Sequence, residues 1–420
     1  MIPRSTGTVV IGGGQAGLSL SRRLVRAGHP HVVLERGRVG ERWLTGRWES
    51  LTMLTPNRFN RLDGGPAHAD PDGFVRGAEF ASYLRRYGRA AGSPVREGVE
   101  VEAVEPGRDG FRVRTDGGVW RAASVVIATG DSDAPALPAV AADAPVQLRQ
   151  LHSSRYRSPS LLPGGGVLVV GAGPSGQQIA AELRRAGRRV WLAAGTHTRM
   201  VRRYRGRDVW DWLDELGDLD RTIDEHPDPA SLRAMPSIAL TGTNGEELDL
   251  GVLHRLGVVV TGRVRGFEST RVLLGVDLGE AVAAAERRMH ELLGRIDEHA
   301  GGHGERVAGV RLPDGPRTLD LAAHGISTLI WATGYRRAYP WLHLPALGPR
   351  GELVHRRGVT TVPGLYALGL RWQHRRSSHM ISGVGADAAF LAARIAAGGL
   401  VPAAAARRRA RHSVRVPALA

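Results

Sequence analysis

The sequence predicts an α/β fold built around two nucleotide-binding units, and three observations carry that prediction. The segment VVIGGGQAGLSLSRRLVRAGHPHVVLERG (Val9–Gly37) is repeated as VLVVGAGPSGQQIAAELRRAGRRVWLAAG (Val167–Gly195). Each copy holds a G-x-G-x-x-G, formed by Gly12, Gly14 and Gly17 in the first and by Gly171, Gly173 and Gly176 in the second. An apolar strand ending in Ala-Thr-Gly also occurs twice, as SVVIATG (Ser124–Gly130) and STLIWATGY (Ser327–Tyr335). Together they predict two Rossmann-like dinucleotide-binding domains.

Each unit opens with a continuous apolar run, the mark of a parallel strand buried on both faces. The three glycines then serve a tight turn, close approach of backbone to a pyrophosphate, and close helix–strand packing. A helix follows, with Leu18, Leu20, Leu24 and Val25 in one copy and Ile179, Ala180 and Leu183 in the other. Its N-terminus directs free N–H groups and a positive dipole end at phosphate. Gly28 and Gly187 suit a left-handed helix end. Second strands are expected at His31–Glu35 and Arg189–Ala193.

The ends of those second strands differ. Glu35 lies 18 residues after Gly17, close to the spacing of an acid that binds ribose hydroxyls. The matching residue of the second copy is Ala193, followed by Arg199, Arg202 and Arg203, which could pair with a 2′-phosphate. The first unit is therefore expected to take FAD (or NAD) and the second NADPH. The Gly-to-Ala interval is 116 residues from Gly12 to Ala128 and 161 from Gly171 to Ala332. The extra 45 residues are expected as an insertion within about 204–300, containing a helix with Val282, Ala285, Met289, Leu292, Leu293 and Ile296 on one face. The expected organisation is a first FAD-domain part over 1–160, an NADPH domain over 161–335, and a closing FAD-domain segment with a basic tail over 336–420.

Composition narrows the chemistry. All 57 basic residues are arginine, and the net charge is +16. The arginines are spread along the chain rather than gathered on one element, so no nucleic-acid partner is expected; the dense cluster Arg407–Arg409 with Arg411 falls in the tail. Without lysine there is no Schiff-base chemistry, and without cysteine no redox dithiol, thiolate nucleophile or cysteine metal site. A flavoprotein disulfide reductase is excluded on that ground, and no metal is expected. No run approaches the roughly 20 apolar residues of a membrane span. A cytoplasmic monomer or homodimer is expected.

These residues resemble the two-dinucleotide-domain (class B) flavin-dependent monooxygenases: flavin-containing N- and S-oxygenases, plant auxin-forming enzymes and Baeyer–Villiger enzymes. The resemblance covers essentially the whole chain. It includes GERW at Gly40–Trp43 and LHSSRYR at Leu151–Arg157, whose His152 and Tyr156 match half of the family fingerprint F-x-G-x-x-x-H-x-x-x-Y. Val146 and Leu148 stand where its Phe and Gly belong. Gly364–Ala392 is similar to the family's flavin-closing element, read as a strand ending at Gly369 and a helix from about Asp387.

The resemblance implies NADPH reduction of FAD, addition of O2 to form a flavin C4a-hydroperoxide, and transfer of one oxygen atom to a small organic substrate. It implies FAD contacts from Gly12, Gly14, Gln15, Ala16, Gly17, Glu35, Arg36, Arg42, Trp43, Trp48, Val101, Ala128, Thr129, Gly130, Gly369, Val384 and Asp387, the last as cap or ligand. For NADPH it implies Gly171, Gly173, Pro174, Ser175, Gly176, Gln177, Arg199, Arg202, Arg203, Ala332, Thr333 and Gly334. It places Trp48–Arg58 along the flavin, making Thr55 and Asn57 active-site candidates; Arg207, Gln373 and His374 are further candidates to reach substrate or nicotinamide. His152 reads as structural. Oxygenation of nitrogen, sulfur or activated carbon is expected. The alternatives are oxidative decarboxylation of an aryl α-keto acid, Baeyer–Villiger oxidation, a flavin reductase or oxidase, and a non-catalytic nucleotide-binding regulator.

Overall fold

The computed structural model describes residues 4–398 apart from 227, 229–231, 233–241 and 243. The arginine cluster of the tail lies outside the described residues. Two parallel sheets organise the chain. The first runs His355–Arg356, Val359–Thr360, Leu365–Ala367, Gly118–Ile127, Arg4–Ile11, His31–Glu35, Val95–Glu97, with the hairpin Val101–Gly107 and Gly110–Thr115 leaning antiparallel on Gly118–Ile127. The second runs Val259–Thr261, Val190–Ala193, Gly166–Val170, Ile326–Trp331, Arg149–His152, with every neighbour parallel.

The repeated units take the same place in each sheet. Arg4–Ile11 lies between His31–Glu35 and Gly118–Ile127, and Gly166–Val170 lies between Val190–Ala193 and Ile326–Trp331. Their apolar runs are buried because helices cover both faces. Val9, Val10, Val167, Leu168 and Val169 are fully buried, each stabilising its sheet by about 1.5–3 kcal/mol. The helix Gln15–Arg26 packs on the closing helix Val384–Ala397 through Leu20, Leu24, Val384, Ala388 and Leu391. Truncating Leu391 to Ala there would cost about 2–5 kcal/mol.

Two boundaries differ from the sequence reading. Arg149–His152 extends the edge of the second sheet, so that sheet begins before residue 161. Within the expected insertion, Val259–Thr261 is a core strand of the same sheet, paired with Trp191–Ala193. What stands apart from the sheet is the helix Val209–Glu215, the three-stranded antiparallel piece Val264–Glu268, Arg271–Leu274 and Thr318–Asp320, and the long helix Leu278–Ala300. The long helix buries Val282, Ala285, Met289, Leu292, Leu293 and Ile296, the face its periodicity predicts. Met289, Leu292, Leu293 and Ile296 pack with Trp210, Trp212 and Leu213 of the shorter helix. Among the described residues no helix is long and apolar enough to cross a membrane.

Candidate functional site

The glycine turns of the two units share their geometry. Gly12 has φ +111° and Gly171 +110°, values that disfavour side chains. A Cβ on Gly12 would sit 2.5 Å from the Ala128 carbonyl oxygen, and one on Gly171 2.4 Å from that of Ala332. The Ala-Thr-Gly element thus closes over the first glycine in both units, which is why the two motifs travel together. A Cβ on Gly17 would lie 2.0 Å from the Gly12 oxygen and one on Gly176 1.8 Å from that of Gly171, so both third glycines allow the helix onto the strand. Gly14 and Gly173 are different: extended in φ/ψ, they have nothing within 4 Å of a built Cβ. Each leaves open space at a helix N-terminus, as a diphosphate cradle requires.

A cavity of about 670 Å³ runs along the first cradle. Of the FAD residues expected from the sequence, Gly12, Gly14, Gln15, Ala16, Glu35, Arg36, Arg42, Trp43, Val101, Ala128, Thr129, Gly130 and Gly369 line it. Gly17 supports the turn from behind. The Glu35 carboxylate accepts from Gly13 N at 2.7 Å and Gly37 N at 2.9 Å, which fixes it at the strand end with lone pairs still free for ribose hydroxyls. Arg36 and Arg42 both reach Asp133, at 3.1 and 3.7 Å. Size, open cradle and donor set fit a dinucleotide such as FAD.

Three expected flavin residues lie elsewhere. Trp48 packs with Leu51, Tyr156 and Ile179 in the apolar cluster of the second unit. Val384 is buried in the core of the first. The closing helix begins at Val384 with Gly383 as its N-cap, so Asp387 is neither cap nor cavity residue. Asp387 is buried against the Ser378 side chain, and burial raises its pKa above the usual carboxylate range.

The catalytic candidates are not brought together. Asn57 is buried, donating from Nδ2 to Asp70 O at 2.8 Å and accepting from Val75 N at 2.9 Å; it pins the loop over residues 70–75. Thr55 bonds to Asn60. Arg207 pairs with Glu215 at 2.7 Å and stacks over Trp212 at 4.1 Å on the surface of the insertion. Gln373 is buried, its Nε2 pressed close beneath Gly358, and the His374 carbonyl accepts from Ile223 N at 2.7 Å. His152 bridges instead: Nε2 lies 2.9 Å from Gly334 O and its ring meets Tyr335 edge-on. Tyr335 in turn accepts a hydrogen bond from Arg47, a cavity residue, at 2.8 Å.

In the second unit Pro174, Ser175 and Gly176 open the helix as expected. Gln177 is buried and donates to Ala172 O, while Thr333 donates to Ala136 O. The arginines depart from expectation. Arg199 is buried and fully used, donating to Asp249 at 2.9 Å, Glu286 at 3.0 Å and Ala308 O at 2.8 Å. Arg202 is buried between Asp208 and the Leu54 carbonyl, over the Phe74 ring. Only Arg203 of the three is exposed. A different guanidinium lies at the end of the second strand: exposed Arg263 donates to Thr196 Oγ1 at 3.1 Å and closes over Gly195. It follows Val259–Thr261, the neighbouring strand of the sheet, so nothing in the local sequence around Ala193 points to it. Other residues missed from sequence line the first cavity: Arg47, Asp131, Ser132, Asp133 and His379.

Two cradles with these features define an oxidoreductase of two dinucleotides, and comparison with known proteins agrees. A model described as pyridine nucleotide-disulphide oxidoreductase matches residues 9–209. An uncharacterized CzcO-like oxidoreductase of Geobacillus kaustophilus is 32% identical over 386 residues, 91% of this chain and 96% of its own. The rice indole-3-pyruvate monooxygenase YUCCA1 is 27% identical over 379 residues, 86% of each chain. The flavin-containing monooxygenase of Stenotrophomonas maltophilia superposes with TM-score 0.63 at 22% identity, covering 94% of this chain and 99% of that one. The chain belongs to the family of two-dinucleotide-domain, flavin monooxygenase-like oxidoreductases that includes the CzcO-like proteins. It is an enzyme, with FAD and NADPH as its cofactors.

Proposed function

We propose that FAD occupies the cavity along Gly12 and Gly14, that NADPH occupies the cradle along Gly171 and Gly173, and that the enzyme transfers one oxygen atom from O2 to a nitrogen, sulfur or activated carbon of a small organic substrate. The cavity carries the reading: it spans from an acid fixed for ribose hydroxyls, Glu35, past the open Gly14 cradle to Gly369 and the closing segment. Bound FAD, once reduced, supplies the oxygen chemistry; the chain supplies orientation and exclusion of water. Ala193 in place of an acid removes repulsion toward a 2′-phosphate, and Arg263 beside Thr196 offers it a guanidinium. Arg47, bonded to Tyr335, ties the flavin-side segment to the exit of the second sheet, keeping the two nucleotides' reactive ends in register. The relationship to an indole-3-pyruvate monooxygenase supports aryl α-keto acids as a second substrate class, oxidised with decarboxylation.

The test is purification followed by substrate screening. The protein should be yellow, consume NADPH in preference to NADH, and couple oxygen uptake to product formation with an amine, thioether, ketone or aryl pyruvate. NADPH consumption that yields only hydrogen peroxide with every substrate class would favour an oxidase. A colourless protein that takes up no added FAD overturns the reading.

A further inference from the structure

Three buried polar atoms outside the recognised motifs converge on the end of the first cavity that lies away from Glu35. His379 Nδ1 and both carboxylate oxygens of Asp131 are buried without a well-formed hydrogen bond, and both residues line the cavity beside Gln15 and Gly369. Buried polar groups in folded proteins are almost always satisfied, so three orphans facing one cavity point to a ligand that satisfies them.

Both side chains are held in place from behind. His379 ends the short turn Arg376–His379; its carbonyl accepts from Gln15 Nε2 at 3.0 Å, which bolts the turn to the first residue of the FAD-side helix. The same turn is gripped on its other side by Arg376 N to Arg221 O and Ser377 N to Leu219 O, both at 3.0 Å. Asp131 follows the Ala-Thr-Gly element directly, with Arg337 at 3.4 Å and Arg371 at 3.9 Å. Those guanidiniums are too distant for tight pairing, but they favour its ionised form against the burial that raises its pKa. Burial first, and then the charge of Arg371, holds the His379 imidazole neutral.

The chemistry of the missing partner follows. An ionised carboxylate accepts hydrogen bonds only, and a neutral imidazole donates or accepts at Nδ1 according to tautomer. A phosphate brings acceptors and negative charge, which Asp131 repels. A sugar-alcohol hydroxyl or a ring imide N–H brings donors. Since Glu35 marks the adenosine end, the opposite end receives the other half of the cofactor.

We infer that Asp131 and His379 hold the ribityl–isoalloxazine half of FAD, Asp131 accepting from a hydroxyl or N–H donor and His379 bonding through Nδ1. This rests on the placement of FAD in the first cavity, and the experiment separates the two. Wild-type holoprotein is first shown to bind FAD by absorbance and by flavin fluorescence quenching; failure at that stage overturns the placement. His379→Ala and Asp131→Asn are then compared with wild type for FAD dissociation constant, visible flavin spectrum and midpoint potential. Each should weaken FAD binding by about tenfold, the loss of one buried hydrogen bond, and shift the flavin bands. Asp131→Asn should also raise the potential, because a negative charge beside the flavin disfavours its reduced anion. His379→Asn, whose amide can replace Nδ1, should restore most of the affinity. It also serves should His379→Ala fail to fold. Wild-type affinity, spectrum and potential in both Asp131→Asn and a folded His379 variant would overturn the inference.

Discussion

Asp218 and Arg376, 158 residues apart, meet at 3.2 Å where the insertion lies against the turn that carries His379. The Asp218 carboxylate is almost wholly buried and also receives both Nη atoms of Arg295, at 2.9 and 2.5 Å. One acid therefore clasps the long helix Leu278–Ala300 to the flavin-side segment. The neighbouring pair Arg375–Asp220 and the Thr222–Arg375 bridge extend the seam. The insertion is part of the wall of the first unit rather than an appendage of the second.

Asp218→Asn should destabilise the protein by about 2–3 kcal/mol, since it leaves Arg376 buried without its counter-charge. Arg295 is nearly half-exposed, so solvent screening keeps its share small. Urea denaturation should give a lower midpoint, and dialysis should strip FAD faster than from wild type. An unchanged midpoint would mean that the clasp carries no load.

The two kinds of glycine should separate by substitution. Gly17→Ala places a methyl 2.0 Å from the Gly12 oxygen, an overlap with backbone that costs more than about 2 kcal/mol and lowers the yield of folded protein. Gly14→Ala meets nothing in the chain, yet fills the space left for the diphosphate. It should fold with wild-type circular dichroism and bind FAD at least about tenfold more weakly. Wild-type FAD affinity in Gly14→Ala would remove the cradle assignment.

The contrast explains how much was legible in the sequence. A glycine turn is a local constraint, so Gly12, Gly17, Gly171 and Gly176 announce themselves wherever a strand meets a helix. Glu35 is legible because its place at a strand end is fixed by spacing. The buried face of Leu278–Ala300 is legible because its period is that of a helix. Arg199 and Arg202 were misread because their partners come from elsewhere: Asp249 and Glu286 lie 50 and 87 residues on, and the Leu54 carbonyl 148 residues back. Proximity to a strand end says nothing about whether an internal acid has already taken a guanidinium. Asn57 was misread for the same reason, its amide being spent on Asp70 and Val75. Asp131 and His379, 248 residues apart in the sequence, become a pair only through the cavity.

Cofactor preference supplies the third prediction. Arg263→Ala should raise the Michaelis constant for NADPH by about tenfold, the loss of a charge-assisted contact to the 2′-phosphate, and leave that for NADH unchanged. Arg199→Ala should do the opposite. It strands Asp249 and Glu286 without their counter-charge, lowering stability by about 3–5 kcal/mol while the NADPH-to-NADH ratio stays as it was. Equal effects of Arg263→Ala on the two nucleotides would show that another group reads the phosphate.

His379 makes the last prediction, through pH. Burial lowers its pKa from 6.5 to about 4 in the folded chain. Between those values the unfolded chain binds a proton that the folded chain refuses, so stability falls as pH falls, and it is fully retained above about pH 6.5. At about 1.4 kcal/mol per pH unit, the loss reaches about 3 kcal/mol by pH 4. His31, His152 and His197 are also lowered by burial and add to the same acid limb, so the wild-type profile cannot be assigned to one ring. Asp131 works in the opposite sense, since its raised pKa favours the folded state as it protonates. His379→Gln removes one proton site and keeps a polar side chain. Its melting temperature should therefore fall less steeply than that of wild type between pH 7 and pH 4, with the two curves closest in shape above pH 6.5. Parallel curves throughout would mean that the His379 imidazole titrates as it does in the unfolded chain.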